Sequence, residues 1–278
     1  MRSLWLGVLV FAAMFVACGD DDSDFAARPS DDSSSSVTSK SSDSETSVSS
    51  SSTKSSSSSA KADGSEYDAI ANTLKDLRDG QTYKTVKIGE QIWMAENLNY
   101  AYLQRTSELD SSSFCFNDSA EYCGKFGRLY TWAAAMDSAG SFSTNGKGCG
   151  YGETCNVASE ASATLVRGVC PDGWHLPSQT EWNILFMATS SDAGTTLKSS
   201  SGWTSGGNGT DDFGFSALPA GRYGYGEYDC EDFHAFFWSS TEYGSYGAYN
   251  MYLNYNYDSA YMKHNDKYYG FSVRCLKD

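Results

Sequence analysis

The sequence predicts an α+β domain of short antiparallel strands, two or three helices and long glycine-rich loops, held behind a tract that cannot fold by itself. Three observations carry this reading. Residues 23–65 are mostly serine with scattered charges and almost no large apolar side chains, too little to offset the conformational entropy of folding. Nearly all of the 19 Tyr, 14 Phe, 7 Trp and 26 Gly fall beyond that tract. In the C-terminal third, apolar residues recur with a period of two, whereas helical spacing is confined to short stretches.

In chain order, residues 1–17 carry Arg2, an apolar run from Leu4 to Val16, and Ala17 before Cys18. This is the layout of an export signal, and the run is short for a membrane span. The box Phe15-Val16-Ala17-Cys18 resembles a bacterial lipoprotein signal, with Phe15 where Leu is usual. That resemblance implies cleavage before Cys18, a lipid anchor on its sulfur and outer-membrane localisation. Several acyl chains hold a protein to a bilayer without a spanning helix. The acidic run Asp20-Asp21-Asp22 resembles signals that send lipoproteins to the cell surface. Residues 18–66 then form a serine-rich tether with a reach of roughly 35–40 Å.

The folded domain is expected over 74–278. Asp79-Gly80 suits a tight turn into a strand over 82–88, and Gly89-Glu90 leads to a second over 91–94. Leu129, Trp132 and Met136 have helical spacing, which predicts a short helix over 128–136. Ser178 and Glu181 form a capping box before a helix that buries Trp182, Leu185, Phe186 and Thr189. Tyr249, Met251, Leu253, Tyr255 and Tyr257 alternate with polar residues as one face of a strand. A further strand over 260–264 follows, and Tyr269, Phe271, Val273 and Cys275 form the inward side of the last.

Seven cysteines remain beyond Cys18, and an exported chain favours disulfides. Cys115 with Cys123, and Cys149 with Cys155, lie close in glycine-rich loops. Cys170 with Cys275 would staple the segment before the capped helix to the last strand. Cys230 is left odd, among acids that disfavour its thiolate. The spacings contain no C-x-x-C pair and only 3 His are present, so zinc, or any other metal or cofactor, is not expected.

Thirty-five acidic against 20 basic residues give a net charge of −15. That balance argues against a nucleic-acid binder and against electrostatic docking on anionic lipid. His175, between Trp174 and Leu176, reads as a packed structural residue, and His234 and His264 as surface or turn residues without a nucleophile partner. Glu227, Asp229, Glu231 and Asp232, like Asp211 and Asp212, read as solvated acidic loops rather than calcium ligands.

Several ordered strings are familiar: Asp79 to Tyr83, Trp93 to Tyr100, Gly127 to Trp132, Cys170 to Pro177, Gly214 to Pro219, Trp238 to Glu242 and Ser272 to Cys275. Together they resemble the Fibrobacter succinogenes major paralogous domain family, over about 74–278. The resemblance implies an exported or surface lipoprotein and no established activity. More distantly, His175 to Trp182 and Gly270 to Arg274 are similar to formylglycine-generating enzymes and other C-type-lectin-like folds. Two departures stand: there is no copper-binding cysteine pair near the C-terminus, and no calcium-lectin tripeptide.

Tyr223, Tyr225 and Tyr228, with Tyr243 and Tyr246, sit among glycines where they make poor core material. One reading is that they fold back over a small domain; the other is that they stay exposed, where tyrosines stack on sugars and anchor protein contacts at low entropic cost. The expectation is therefore a non-catalytic, membrane-anchored recognition module for an extracellular glycan or surface protein. The alternatives are an enzyme on the same scaffold, redox-active through Cys230 or a carboxylate hydrolase, and a structural envelope protein.

Overall fold

A computed structural model describes residues 64–105, 110–155, 157, 164–189 and 191–278. The expected signal segment, Cys18 and nearly all of the serine tract lie outside the described residues. The described residues all belong to the unit Lys61–Asp278.

The fold is mixed α+β, mostly strands. Strands begin ahead of the expected Leu74 boundary: β1 (Ser65–Asp68) pairs antiparallel with β2 (Thr73–Asp76). Asp79-Gly80 turns the chain into β3 (Thr82–Ile88), and Gly89-Glu90 into β4 (Gln91–Met94), as the turn residues predict. The first sheet runs β1-β2-β3-β4-β15-β8, completed by β15 (Leu276–Lys277) and β8 (Trp174–His175).

The second, curled sheet centres on β11 (His234–Tyr243), which is paired along one side by β12 (Gly247–Asn254) and then β13 (Tyr261–Asp266). Along its other side β11 meets β9 (Ala220–Gly224) and β14 (Phe271–Ser272) in parallel. β10 (Glu227–Glu231) hangs on β9, and β7 (Leu129–Tyr130), β6 (Asp110–Phe114) and β5 (Leu103–Arg105) continue outward from β14.

Helices are few. α1 (Ala120–Phe126) carries Cys123, which is bonded back to Cys115. The helix expected over 128–136 shrinks to one turn, α2 (Trp132–Ala135), capped by Thr131, whose Oγ1 accepts from Ala134 N at 3.2 Å. Leu129 and Tyr130 leave the helical pattern because β14 and β6 offer them ladder partners on both sides. α3 (Gln179–Thr189) starts with the predicted capping box: Glu181 accepts from Ser178 N at 2.8 Å, and Ser178 Oγ from Glu181 N at 3.3 Å. α4 (Ala193–Leu197) follows.

The main core gathers Trp93, Trp182, Leu185, Leu197, Phe215, Phe237, Met251 and Leu276, with the Trp93 and Trp182 rings 4.6 Å apart. β12 is covered on both faces rather than one. Met251 and Leu253 enter this core, while Asn250, Tyr252 and Asn254 are buried on the other side, where Asn254 Nδ2 donates to the Tyr252 hydroxyl at 2.8 Å. The expected last strand is likewise split into β14 and β15, because Arg274 between them is also buried. Its guanidinium donates to Asn97 Oδ1 at 2.8 Å, to Ser216 O at 2.9 Å and to the Phe215 carbonyl, and lies over the Phe215 ring. Burial lowers its pKa to about 9, so it remains charged at neutral pH.

His234 is not the surface or turn residue expected of it. It is buried at the start of β11, between the rings of Phe236 and Tyr252, because both faces of this central strand are covered. His264 is at the surface, in β13, within the strand expected over 260–264. The three expected disulfides form, Cys115–Cys123, Cys149–Cys155 and Cys170–Cys275. Cys230 takes no part in these three bonds. Among the described residues no helix is long and apolar enough to cross a membrane.

Candidate functional site: a strip of tyrosines

Glu227 pairs with Gly224, so β9 and β10 are joined by two residues, Tyr225-Gly226. Their φ angles are 54° and 85°, the doubly left-handed form of a type I′ hairpin turn. Asn or Gly normally fills the first position, because a side chain in the left-handed region costs roughly 1–2 kcal/mol. Here the position holds a tyrosine that is 77% exposed. A strained backbone that displays a large ring is a pointer to function rather than to packing.

Tyr225 is one member of a chain of touching rings. It lies 5.9 Å from Tyr268 and 5.5 Å from Tyr269. Tyr268 reaches Tyr151 at 5.5 Å, and Tyr151 reaches Tyr246 at 5.0 Å. Tyr246 and Tyr151 are themselves well exposed, and buried Tyr269 forms the floor. Gly224 makes this possible, since a Cβ there would stand 2.4 Å from the Tyr269 ring. Burial first, and hydrogen bonding to Tyr225 second, push the Tyr268 and Tyr269 phenols upward in pKa, so both stay neutral at physiological pH.

The loops bearing Tyr151 and Tyr246 are held by one buried cation. Lys267 Nζ donates to Glu153 O at 2.8 Å, to Ser245 O at 3.0 Å and to Glu242 Oε1 at 2.5 Å, and sits 4.6 Å over the Trp132 ring. Burial draws its pKa below the ordinary lysine value, and Glu242 opposes that. The same residue's backbone N–H donates to Tyr246 O at 2.8 Å. Glu242 also accepts from Cys155 N at 3.0 Å, and the Cys149–Cys155 bond closes the Tyr151 loop. The strip is therefore preorganised.

The five tyrosines singled out in the sequence do not form one surface. Tyr225 and Tyr246 join the strip. Tyr223 and Tyr228 turn inward on Phe114 and Phe116, and the Tyr228 hydroxyl donates to Asp118 Oδ1 at 2.7 Å. Tyr243 stacks 3.7 Å from His264, among other partners. Sequence reasoning missed Tyr151, Tyr268 and Tyr269. Tyr151 stands in Gly150-Tyr151-Gly152, the same glycine-flanked setting that marked the others.

Of the acidic residues nearby, Asp229 pairs with Arg222 at 2.7 Å, and Glu231 with Lys125 at 3.5 Å. Asp211 accepts from Ser216 N at 2.7 Å. Among the described residues no group of three or more His, Cys, Asp or Glu comes together as a metal-ligand set. His175 is structural in its contacts, its two ring nitrogens 2.9 Å from Glu181 and 2.8 Å from Asp278.

No curated protein and no solved structure matches this chain. A family model does, over residues 86–277, a span that runs from within β3 to β15 and includes every tyrosine of the strip. The chain belongs to the family described as the Fibrobacter succinogenes major domain.

Proposed function

We propose that this protein is a lipid-anchored, non-catalytic recognition module that uses the tyrosine strip to bind an extracellular glycan. In this reading Cys18 carries the anchor in the outer membrane, the serine tract spaces the domain from the bilayer, and the domain is a C-type-lectin-like scaffold facing outward. The observation that carries it is the convergence of Tyr225, Tyr268, Tyr151 and Tyr246, from four separate segments, into one run of touching rings. Adjacent aromatic faces with hydroxyl rims suit the apolar faces and hydroxyls of a saccharide chain. A surface protein on the same rings is the second occupant to consider.

The test is co-sedimentation of the protein with insoluble cell-wall polysaccharides, with and without EDTA. Saturable binding indifferent to EDTA supports the strip as the contact. Absence of binding across neutral and acidic polysaccharides would turn the search to protein partners.

A further inference from the structure

A cleft of about 360 Å³ shares no residue with the strip and is lined by Asp79, Gln81, Asn99, Tyr100 and Arg128 against the Cys115–Cys123 disulfide. The volume falls in the range of small-molecule sites. Two polar atoms of these lining residues are buried without a partner, Arg128 Nε, a donor, and Asn99 Oδ1, an acceptor, which leaves both side chains short of hydrogen bonds at the cleft wall. Buried polar atoms are rarely left so, and each calls for an explanation. Arg128 makes no ion pair among the described residues. Its side-chain hydrogen bond among them is a long contact, Nη1 to Ser113 O at 3.4 Å.

The remaining groups narrow the ligand. Asp79 already accepts from Gln81 N at 3.0 Å and from Gln81 Nε2 at 2.6 Å, and Gln81 Nε2 also donates to Asn99 O at 3.1 Å. Gln81 Oε1 is left as an acceptor. The cleft thus holds one carboxylate and one guanidinium with unmet capacity of both kinds. An anion would satisfy Arg128 but face Asp79 and the Asn99 carbonyl oxygen. A cation would meet the reverse. A hydroxyl donates and accepts at once, so neighbouring hydroxyls on a neutral ring can give a proton to Gln81 Oε1 or Asp79 and a lone pair to the Nη atoms of Arg128, which among the described residues hold only the long Ser113 contact.

We infer that this cleft is a second binding site, for a single neutral polyhydroxylated ring of the sugar class, independent of the tyrosine strip. Because the two sites share no residue, either can fail without the other.

The test is a ¹H–¹⁵N NMR titration of the full chain with D-glucose and D-xylose up to about 100 mM, which covers the millimolar affinities expected of a single sugar. Glycine and D-glucuronate are run alongside. Saturable shifts of the amides of residues 79–81, 99–101 and 128 are expected with a neutral sugar. Those shifts should weaken at least about tenfold, or 1.4 kcal/mol, in Arg128→Gln and in Asn99→Ala. Preserved amide dispersion in the variants separates loss of binding from loss of fold, and Gln81→Leu provides a further variant should one misfold. Two results would overturn the inference: no shift of these amides with either neutral sugar, or tighter binding of glycine or glucuronate than of the sugars. Shifts confined to the amides of Tyr151, Tyr225, Tyr246 and Tyr268 would support the strip and reject the cleft.

Discussion

Replacing the Cys170–Cys275 pair with alanines should destabilise this domain more than removing any other described disulfide. The bond spans 105 residues and links the segment ahead of β8 to the segment ahead of β15, with both cysteines fully buried. In the chain-entropy picture, a loop of that length restrains the unfolded state by about 4.7 kcal/mol. The Cys149–Cys155 bond closes a separation of only 6, worth about 2–2.5 kcal/mol by the same relation. For a domain of this size each kcal/mol shifts Tm by roughly 2–4 °C. The expected losses are therefore about 10–19 °C and about 4–10 °C. Differential scanning calorimetry of the two double variants measures both. Equal losses, or a larger loss for the short loop, would show that loop length does not govern these bonds.

Other consequences come from the same geometry. Tyr225→Asn should relieve the left-handed strain and raise stability by up to about 1 kcal/mol in urea unfolding, while weakening ligand binding. A simultaneous gain in both would contradict the strained-display reading. Lys267→Met leaves Glu242 buried without its partner, so a loss of about 3–5 kcal/mol is expected, with loosening of the Tyr151 and Tyr246 loops visible by hydrogen exchange. Stability should also have a pH window. Burial opposes the His175 charge, but Glu181 and Asp278 outweigh it and raise its pKa above the ordinary 6.5. Its contribution is full below about 6.5 and is lost as pH rises through the raised value. Burial likewise opposes the Glu181 carboxylate, but His175 and the Ser178 bonds lower its pKa below 4.5, so its contribution is lost as pH falls through that lowered value. Stability from this pair should peak between about 4.5 and 6.5. His175→Gln should flatten the alkaline side of a Tm-versus-pH curve, and an unchanged curve would refute the assignment.

Local chemistry was legible in the sequence. The Asp79-Gly80 and Gly89-Glu90 turns, the Ser178–Glu181 capping box and the two short-range disulfides depend on residues a few positions apart, where spacing carries the information. Tertiary partners decided the rest. Leu129 and Tyr130 match a helix until β14, far along the chain, claims them as a strand. Arg274 alternates with the inward Val273 and Cys275, yet carbonyls from two neighbouring residues far back in the chain and the Asn97 side chain surround it. Many strings that carried the family resemblance, among them those around Trp93, Trp132, Phe215, Trp238 and Arg274, place their large side chains inside. Those strings specify the scaffold. The candidate site lies mostly in the loops between them, and alternation or helical spacing does not show which loops meet. Glycine-flanked tyrosines marked Tyr225 and Tyr246 but could not separate them from Tyr223 and Tyr228, whose turn into a buried cluster depends on Phe114 and Phe116.

Whether the tyrosine strip is the binding surface is decided by measuring polysaccharide affinity for the wild type, Tyr225→Ala, Tyr246→Ala and Tyr243→Ala under one set of conditions. Tyr243 is also exposed, but its ring stacks on His264 rather than on the strip. Each strip variant should bind about tenfold to a hundredfold more weakly, as central aromatic contacts do, and Tyr243→Ala should bind like the wild type. Equal losses in all three variants, or full affinity in the strip variants, would contradict a binding role for the strip.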